Sequence, residues 1–221
     1  MSKYLKFFKR VNLKSLYFNL KYLPFKDAIK FPFLISKNVF LLESKGVIKI
    51  DCPIKTGMIQ IGYGKIGIFD MKRSRSIWQV SGMVIFKGKA YIGHGTKISV
   101  NKNALLELGG NFAVTAESEI VTQKHIKIGD DVLISWDCLI MDTDLHKIYN
   151  KSGELINSPE PIIIGKKVWI GCRNVILKGS KISDGSIIGA NSFLSKDISD
   201  QSGIFAGNPI RLIKGDVTWE N

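Results

Sequence analysis

The run Ile140-Met-Asp-Thr-Asp-Leu-His146 sets two carboxylates, Asp142 and Asp144, ahead of an imidazole at alternate positions. Alternation along an extended segment would put residues 142, 144 and 146 on one face. A neutral imidazole is the side chain best matched to accepting a proton near neutral pH, and a carboxylate beside it would orient the ring and stabilise its protonated form. His146 is therefore the candidate general base and Asp144 its candidate partner, with Asp142 as a further carboxylate. The stretch that follows, 147–161, carries Asn150, Ser152, Gly153, Asn157, Pro159 and Pro161. It reads as a projecting loop, the kind of segment that carries functional groups on a rigid frame.

The frame is legible as a period of six. Aliphatic residues recur at Ile164, Ile170, Ile176, Ile182, Ile188 and Leu194, and four residues after each come Val168, Asn174, Ser180, Ser186, Ser192 and Ile198, mostly small or thin. Glycine follows the aliphatic residue at Gly165, Gly171 and Gly189. The same phase appears upstream at Ile128, Ile134 and Ile140, and at Phe86, Ile92 and Ile98, with a slip between residues 99 and 125. A period of six fits neither a helix nor a straight strand, but it fits short strands joined by corners into a three-sided solenoid. Ile164 should then stack on Ile182, eighteen residues on. By the same rule Ile128 should stack on position 146, which is a histidine; the solenoid must be interrupted there. Glycine is expected at the corners for its backbone freedom.

This pattern, together with Ile164-Gly-Lys-Lys-Val-Trp-Ile-Gly171 and Ala206-Gly-Asn-Pro209, resembles the hexapeptide-repeat acyltransferases over roughly residues 80–214. The resemblance implies an all-β fold, a left-handed parallel β-helix that is usually trimeric, and acetyl-CoA as donor substrate with no metal required. It is similar above all to the sugar O-acetyltransferases of capsule and O-antigen synthesis and to the maltose and galactoside type. The implied activity moves acetyl from acetyl-CoA to a hydroxyl of a sugar or glycan precursor, with His146 as general base. The resemblance further implies that Trp169, Gly171, Ala190, Ser195 and Lys196 line the CoA site. Arg211 and Lys214, just after the Gly-Asn-Pro segment, are placed to meet a phosphate. Cys172 stands where the family has a small residue and reads as packing.

Charge points elsewhere. The net +13 divides unevenly: residues 1–50 hold 11 basic and 2 acidic groups, while the remaining 171 residues supply the other +4. A nucleic-acid groove would spread its cations along the fold, so that partner is not expected. Residues 3–23 can be written as a basic amphipathic helix ending before Pro24. Lys3, Lys6, Arg10, Lys14 and Lys21 fall on one stripe; Leu5, Phe8, Leu16, Leu20 and Leu23 fall opposite, interrupted by Asn12. Such a helix suits peripheral contact with an anionic membrane, or packs on the solenoid with its basic face in water. The chain divides into a basic, partly helical segment 1–50, a β-helix 51–214 with loop 147–161, and a tail 215–221. Its expected location is the cytoplasm, peripheral at the inner face of the cytoplasmic membrane.

Other chemistries fit less well. Gly62-Tyr-Gly-Lys-Ile-Gly67 matches a dinucleotide-binding glycine pattern, but no helical stripe follows, so it reads as turns of an irregular coil. Cys52, Cys138 and Cys172 form no CxxC pair. A zinc enzyme of the γ-carbonic anhydrase kind needs two closely spaced histidines, and His94, His125 and His146 are 31 and 21 residues apart. A non-catalytic β-helix scaffold and transfer to an amine, as on an amino sugar, are the remaining alternatives.

Overall fold

The structure, a computed structural model, describes residues 10–220. Three sheets run along it, and each takes every third strand. Face A stacks Phe33–Ile35, Ile59–Tyr63, Ala90–Gly93, Phe112–Val114, Leu133–Ile134, Trp169–Ile170, Ile187–Ile188, Gly203–Ala206 and Arg211–Gly215. Face B runs from Phe40–Ser44 to Phe193–Leu194, and face C from Val47–Ile50 to Asp197–Ile198. Neighbouring strands are parallel, apart from the last pair on face A. The six-residue period has become a three-sided parallel β-helix.

The inward column behaves as its spacing demands. Ile164 pairs with Ile182, Ile170 with Ile188 and Ile176 with Leu194, and all six are buried. Each such side chain removed from water contributes about 1.5–3 kcal/mol. The thin residues sit inside the corners. Ser180 and Ser192 each donate a hydroxyl to the carbonyl three residues back, as Asn174 does with its amide (2.6, 2.9 and 2.8 Å), so these buried polar groups are satisfied.

The glycines act for a different reason than backbone freedom. Gly165, Gly171 and Gly189 do not adopt positive φ. A Cβ on Gly171 would lie 2.8 Å from the Ala190 nitrogen of the next coil, so the constraint is space between coils. The left-handed turns fall two residues later, on Lys167, Arg173 and Asn191 (φ 52°, 58° and 57°).

Ile128 pairs with Ile164, skipping one eighteen-residue coil. The skipped residues leave between faces B and C as the loop after Met141, so His146 lies outside the stacked column. Upstream, coils are longer: Lys97 pairs with Glu119 and Leu105 with His125, which accounts for the slip in the sequence period.

The leading segment departs from its reading as one helix over residues 3–23. Residues 3–9, with Lys3, Leu5, Lys6 and Phe8, lie outside the described residues. Helix α1 spans Leu13–Tyr22 and helix α2 spans Phe25–Ala28. Asn12, which broke the apolar stripe in the sequence, is the N-cap, its side chain accepting from the backbone N–H of Lys14 and Ser15 (2.9 and 3.2 Å). The solenoid begins inside the segment 1–50, with its first coil at Phe33–Ile50. No helix follows the Gly62–Gly67 pattern; Gly62 and Gly64 turn the chain at φ 79° and 101°, and the Tyr91 hydroxyl caps the Tyr63 carbonyl (2.8 Å).

Helix α1 closes the open end of the solenoid. Phe18 is fully buried against Phe33 and Trp78, with ring centroids 5.1 and 5.4 Å away. Asn19 donates to the Phe33 carbonyl and accepts from the Phe33 N–H (2.8 and 3.1 Å), while the Ser15 hydroxyl accepts from the Ile35 N–H (2.9 Å). Side chains thus pair the free edge of the first strand where no earlier coil exists, which a solenoid terminus requires. At the other end Arg211–Gly215 folds back antiparallel on Gly203–Ala206. Replacing Phe18 with Ala should cost about 3–5 kcal/mol. Asn19→Ala should cost about 1–3 kcal/mol for each backbone group of Phe33 left unpaired. Urea unfolding of the full chain reads both; parental stability in Asn19→Ala would contradict the capping role.

Candidate active site

The loop is fastened at its root. Asp142 is buried, and its carboxylate accepts the backbone N–H of Gln123, Lys124 and His125 at 2.6, 2.9 and 2.7 Å. Thr143 donates to Gln123 Oε1 (2.8 Å) and accepts from the Leu145 N–H (2.9 Å). Leu145 is left-handed at φ 63°, which ends any strand-like alternation. Residues 142, 144 and 146 therefore do not share a face: Asp142 points in as an anchor, and Asp144 and His146 are exposed.

Asp144 is held, but not by the imidazole. Its Oδ2 accepts from Lys178 Nζ (2.6 Å) and from Asn157 Nδ2 (2.9 Å). The same Asn157 amide donates to the His146 carbonyl (2.8 Å), and its Oδ1 accepts from the Ile148 N–H (2.7 Å). Asp144 thus connects to His146 through Asn157 and the backbone. The Lys178 ammonium, then the Asn157 amide, hold the Asp144 carboxyl below the usual carboxylate range. Among the described residues the His146 ring takes no hydrogen-bond partner and stands open to solvent. Lys178 and Gln123 escaped the sequence reading because they lie 32 and 23 residues from His146 and only coil stacking brings them to the loop. Asn157, read only as a polar loop residue, reaches back through the return of the loop itself. Beyond them the loop makes a short hairpin, with Tyr149 bridged to Leu155 and Gly153 at its tip, and it exposes Leu145, Ile148, Tyr149, Leu155 and Ile156.

The remaining site residues fall into separate groups. Trp169 lies on face A between Leu133 and Ile187, 38% exposed, with Nε1 3.3 Å from Ser135 Oγ. Its ring centroid is 6.2 Å from that of Trp219, whose Nε1 donates to the Lys167 carbonyl (2.7 Å), so the tail residues fold back along face A. Gly171 and Ala190 stack in the corner between faces A and B, Gly171 buried and Ala190 exposed. Ser195 and Lys196 occupy the corner between faces B and C, two coils beyond Asp144. Lys196 and Arg211 line one hollow of ≈ 230 Å³ with Asp197, Asp200 and Gln201, and Lys214 lies exposed on the last strand. Face B separates His146 from Trp169 within one chain. His94 is buried with both ring nitrogens unpartnered, and His125 contacts Glu107 (2.8 Å), so the three histidines do not converge. All three thiols are free, and burial pushes Cys138 up to about 11.

Two features suit an acyl-CoA donor: the exposed Trp169 indole, and the Lys196 and Arg211 cations that share one hollow. Residues 161–196 match the family model described as bacterial transferase hexapeptide (six repeats). The galactoside O-acetyltransferase of Escherichia coli (strain K12) is 38% identical over 111 residues, which are 49% of this chain and 53% of that protein. A putative lipopolysaccharide biosynthesis O-acetyl transferase, WbbJ, from the same strain is 26% identical over 132 residues, 55% of this chain and 66% of the relative. The chain spans about half the length of the first relatives it matches. Among solved structures, the polySia specific acetyltransferase NeuO superposes with a TM-score of 0.56 at 24% identity, covering 86% of this chain and 79% of that one. That likeness bears on the fold, the left-handed parallel β-helix.

The lowered Asp144 value fixes a sign. Its contact with Lys178 steadies the loop above the usual carboxylate range and is lost as pH falls through the folded value. In Lys178→Met the Asp144 carboxyl should titrate closer to its ordinary value, read by carboxyl-carbon NMR. An unmoved titration would contradict the assignment of Lys178 as its main partner.

Proposed function

From a solenoid whose residues 161–196 match the bacterial transferase hexapeptide model, we propose that this protein is an acyl-CoA-dependent O-acetyltransferase acting on a sugar or glycan-precursor hydroxyl, with acetyl-CoA as donor. The observation that carries this reading is the open imidazole of His146 at the foot of a loop locked by Asp142, Asp144 and Asn157. The unpartnered ring nitrogen accepts the proton of the acceptor hydroxyl as its oxygen attacks the thioester carbonyl. The tetrahedral intermediate then collapses, the C–S bond breaks, and the imidazolium returns its proton to the departing thiolate. No acyl group passes through the protein. Asp144 is a positioning residue: it holds the loop through Asn157 and Lys178.

Donor binding falls to Trp169, Gly171 and Ala190 for the slender thioester arm, with Ser195, Lys196, Arg211 and Lys214 toward the nucleotide phosphates. Two features support a homotrimer. His146 and Trp169 lie on different sides of one chain, so a site that uses both needs a neighbouring copy. The loop also exposes an apolar edge that its own chain leaves uncovered. The acceptor chemistry suits polysaccharide biosynthesis at the inner face of the cytoplasmic membrane. No helix among the described residues is long and apolar enough to cross a membrane.

Replacing His146 with Ala should lower transfer by about 10²–10⁴-fold. CoA affinity by calorimetry and oligomeric state by light scattering should stay unchanged. Full activity in that variant would overturn the mechanism.

A further inference from the structure

The two N-terminal helices bury one side and leave an apolar side outward. Ser15, Phe18 and Asn19 of α1 face the solenoid. Around the other side of the helix stand Leu13 (83% exposed), Leu16, Tyr17 and Leu20 (50%). At 100° per residue these four span about 100°, centred opposite the buried side. Phe25 and Ile29, in and just after α2, are 73% and 57% exposed. These six large apolar side chains are not needed for the capping contacts, which Phe18 and Asn19 make.

Cations flank them. Lys21 lies 5.5 Å over the Tyr17 ring, Lys26 is exposed on α2, and Lys30 follows Ile29. From Arg10 to Lys30 the chain holds five basic side chains and one carboxylate, Asp27, which pairs with Lys30 (2.7 Å). The sequence offered two readings of this segment, membrane contact or packing on the solenoid. The helix packs through a third side, and so leaves its apolar residues free.

We propose that the outer side of α1 and α2, through Leu13, Leu16, Tyr17, Leu20, Phe25 and Ile29 with Lys21, Lys26 and Lys30, docks into the headgroup boundary of an anionic lipid bilayer. An apolar face beside lysines is what such a boundary takes up: the side chains enter the acyl region while the ammonium groups meet lipid phosphates. A second copy of this surface is a poor occupant, because a symmetric contact would set Lys21, Lys26 and Lys30 against their own equivalents. The inference stands apart from the acetyltransferase reading and survives its failure.

The test is co-sedimentation of the full chain with vesicles of phosphatidylcholine alone and of phosphatidylcholine mixed with phosphatidylglycerol. Binding should favour the anionic vesicles at least tenfold and weaken as salt screens the lysines. The variant Leu16→Glu/Leu20→Glu/Phe25→Glu should lose at least tenfold in that binding, with melting temperature and oligomeric state unchanged. Should it fail to fold, Leu13→Ser/Phe25→Ser removes the two most exposed side chains and should still lose binding severalfold. Three results would overturn the proposal: no preference for anionic vesicles, undiminished binding in the folded variant, or a changed oligomeric state, which would assign the surface to a protein contact.

Discussion

Parallel strands stacked about 4.8 Å apart bring Ile128 over Ile164, Ile164 over Ile182 and Ile182 over Ile198, and this contact sets the terms for the rest of the chain. It requires each corner to return the chain to the same inward register, so the left-handed turns fall at matching positions in successive coils. It also brings the coils so close at Gly129 and Gly171 that a Cβ would lie 2.6 and 2.8 Å from the backbone of the next coil. Because the column resumes wherever a full coil can close, eighteen residues can leave the stack between Ile128 and Ile164 without disturbing it. The loop that carries His146 is an excursion the register tolerates.

Rigidity at the loop root follows from the same stacking. Asp142 reaches the backbone of the preceding coil, and Lys178 of the following coil reaches Asp144. Two layers of the frame thereby grip the segment from either side, and Asn157 joins its outgoing and returning strands. The loop held in this way keeps the His146 imidazole in the open while the backbone beneath is fixed, which is what the proposed role as base asks of it.

The sequence shows best what depends on local repetition. From Ile164 onward each corner spends the same number of residues, so the period of six survives in the letters. Before residue 126 the corners absorb extra residues, and the period blurs although Phe86, Ile92 and Ile98 still point inward. His146 was legible as the break in the column. The partner of Asp144 was not, because Lys178 is 34 residues away and its nearness is a product of coil stacking. Gly165, Gly171 and Gly189 were found for the wrong reason: crowding between coils selects them, whereas backbone freedom is used at Gly179 and Gly185 (φ 76° and 75°). In the leading segment Asn12 was visible only as a flaw in a stripe, whereas capping makes it the start of α1. The buried face of that helix, with Ser15 and Asn19, looks polar in sequence because it pairs a strand edge.

The central claim is direct acetyl transfer to a hydroxyl at a site containing His146. The measurement that tests it most directly is mass spectrometry of a panel of sugars and of the protein itself after incubation with acetyl-CoA. The account predicts an acetyl ester on at least one sugar, with free CoA released in equal amount and no acetyl group accumulating on the protein. Acetylated protein that forms and decays in step with product, or acetyl-CoA consumed without any acetylated sugar, would contradict it.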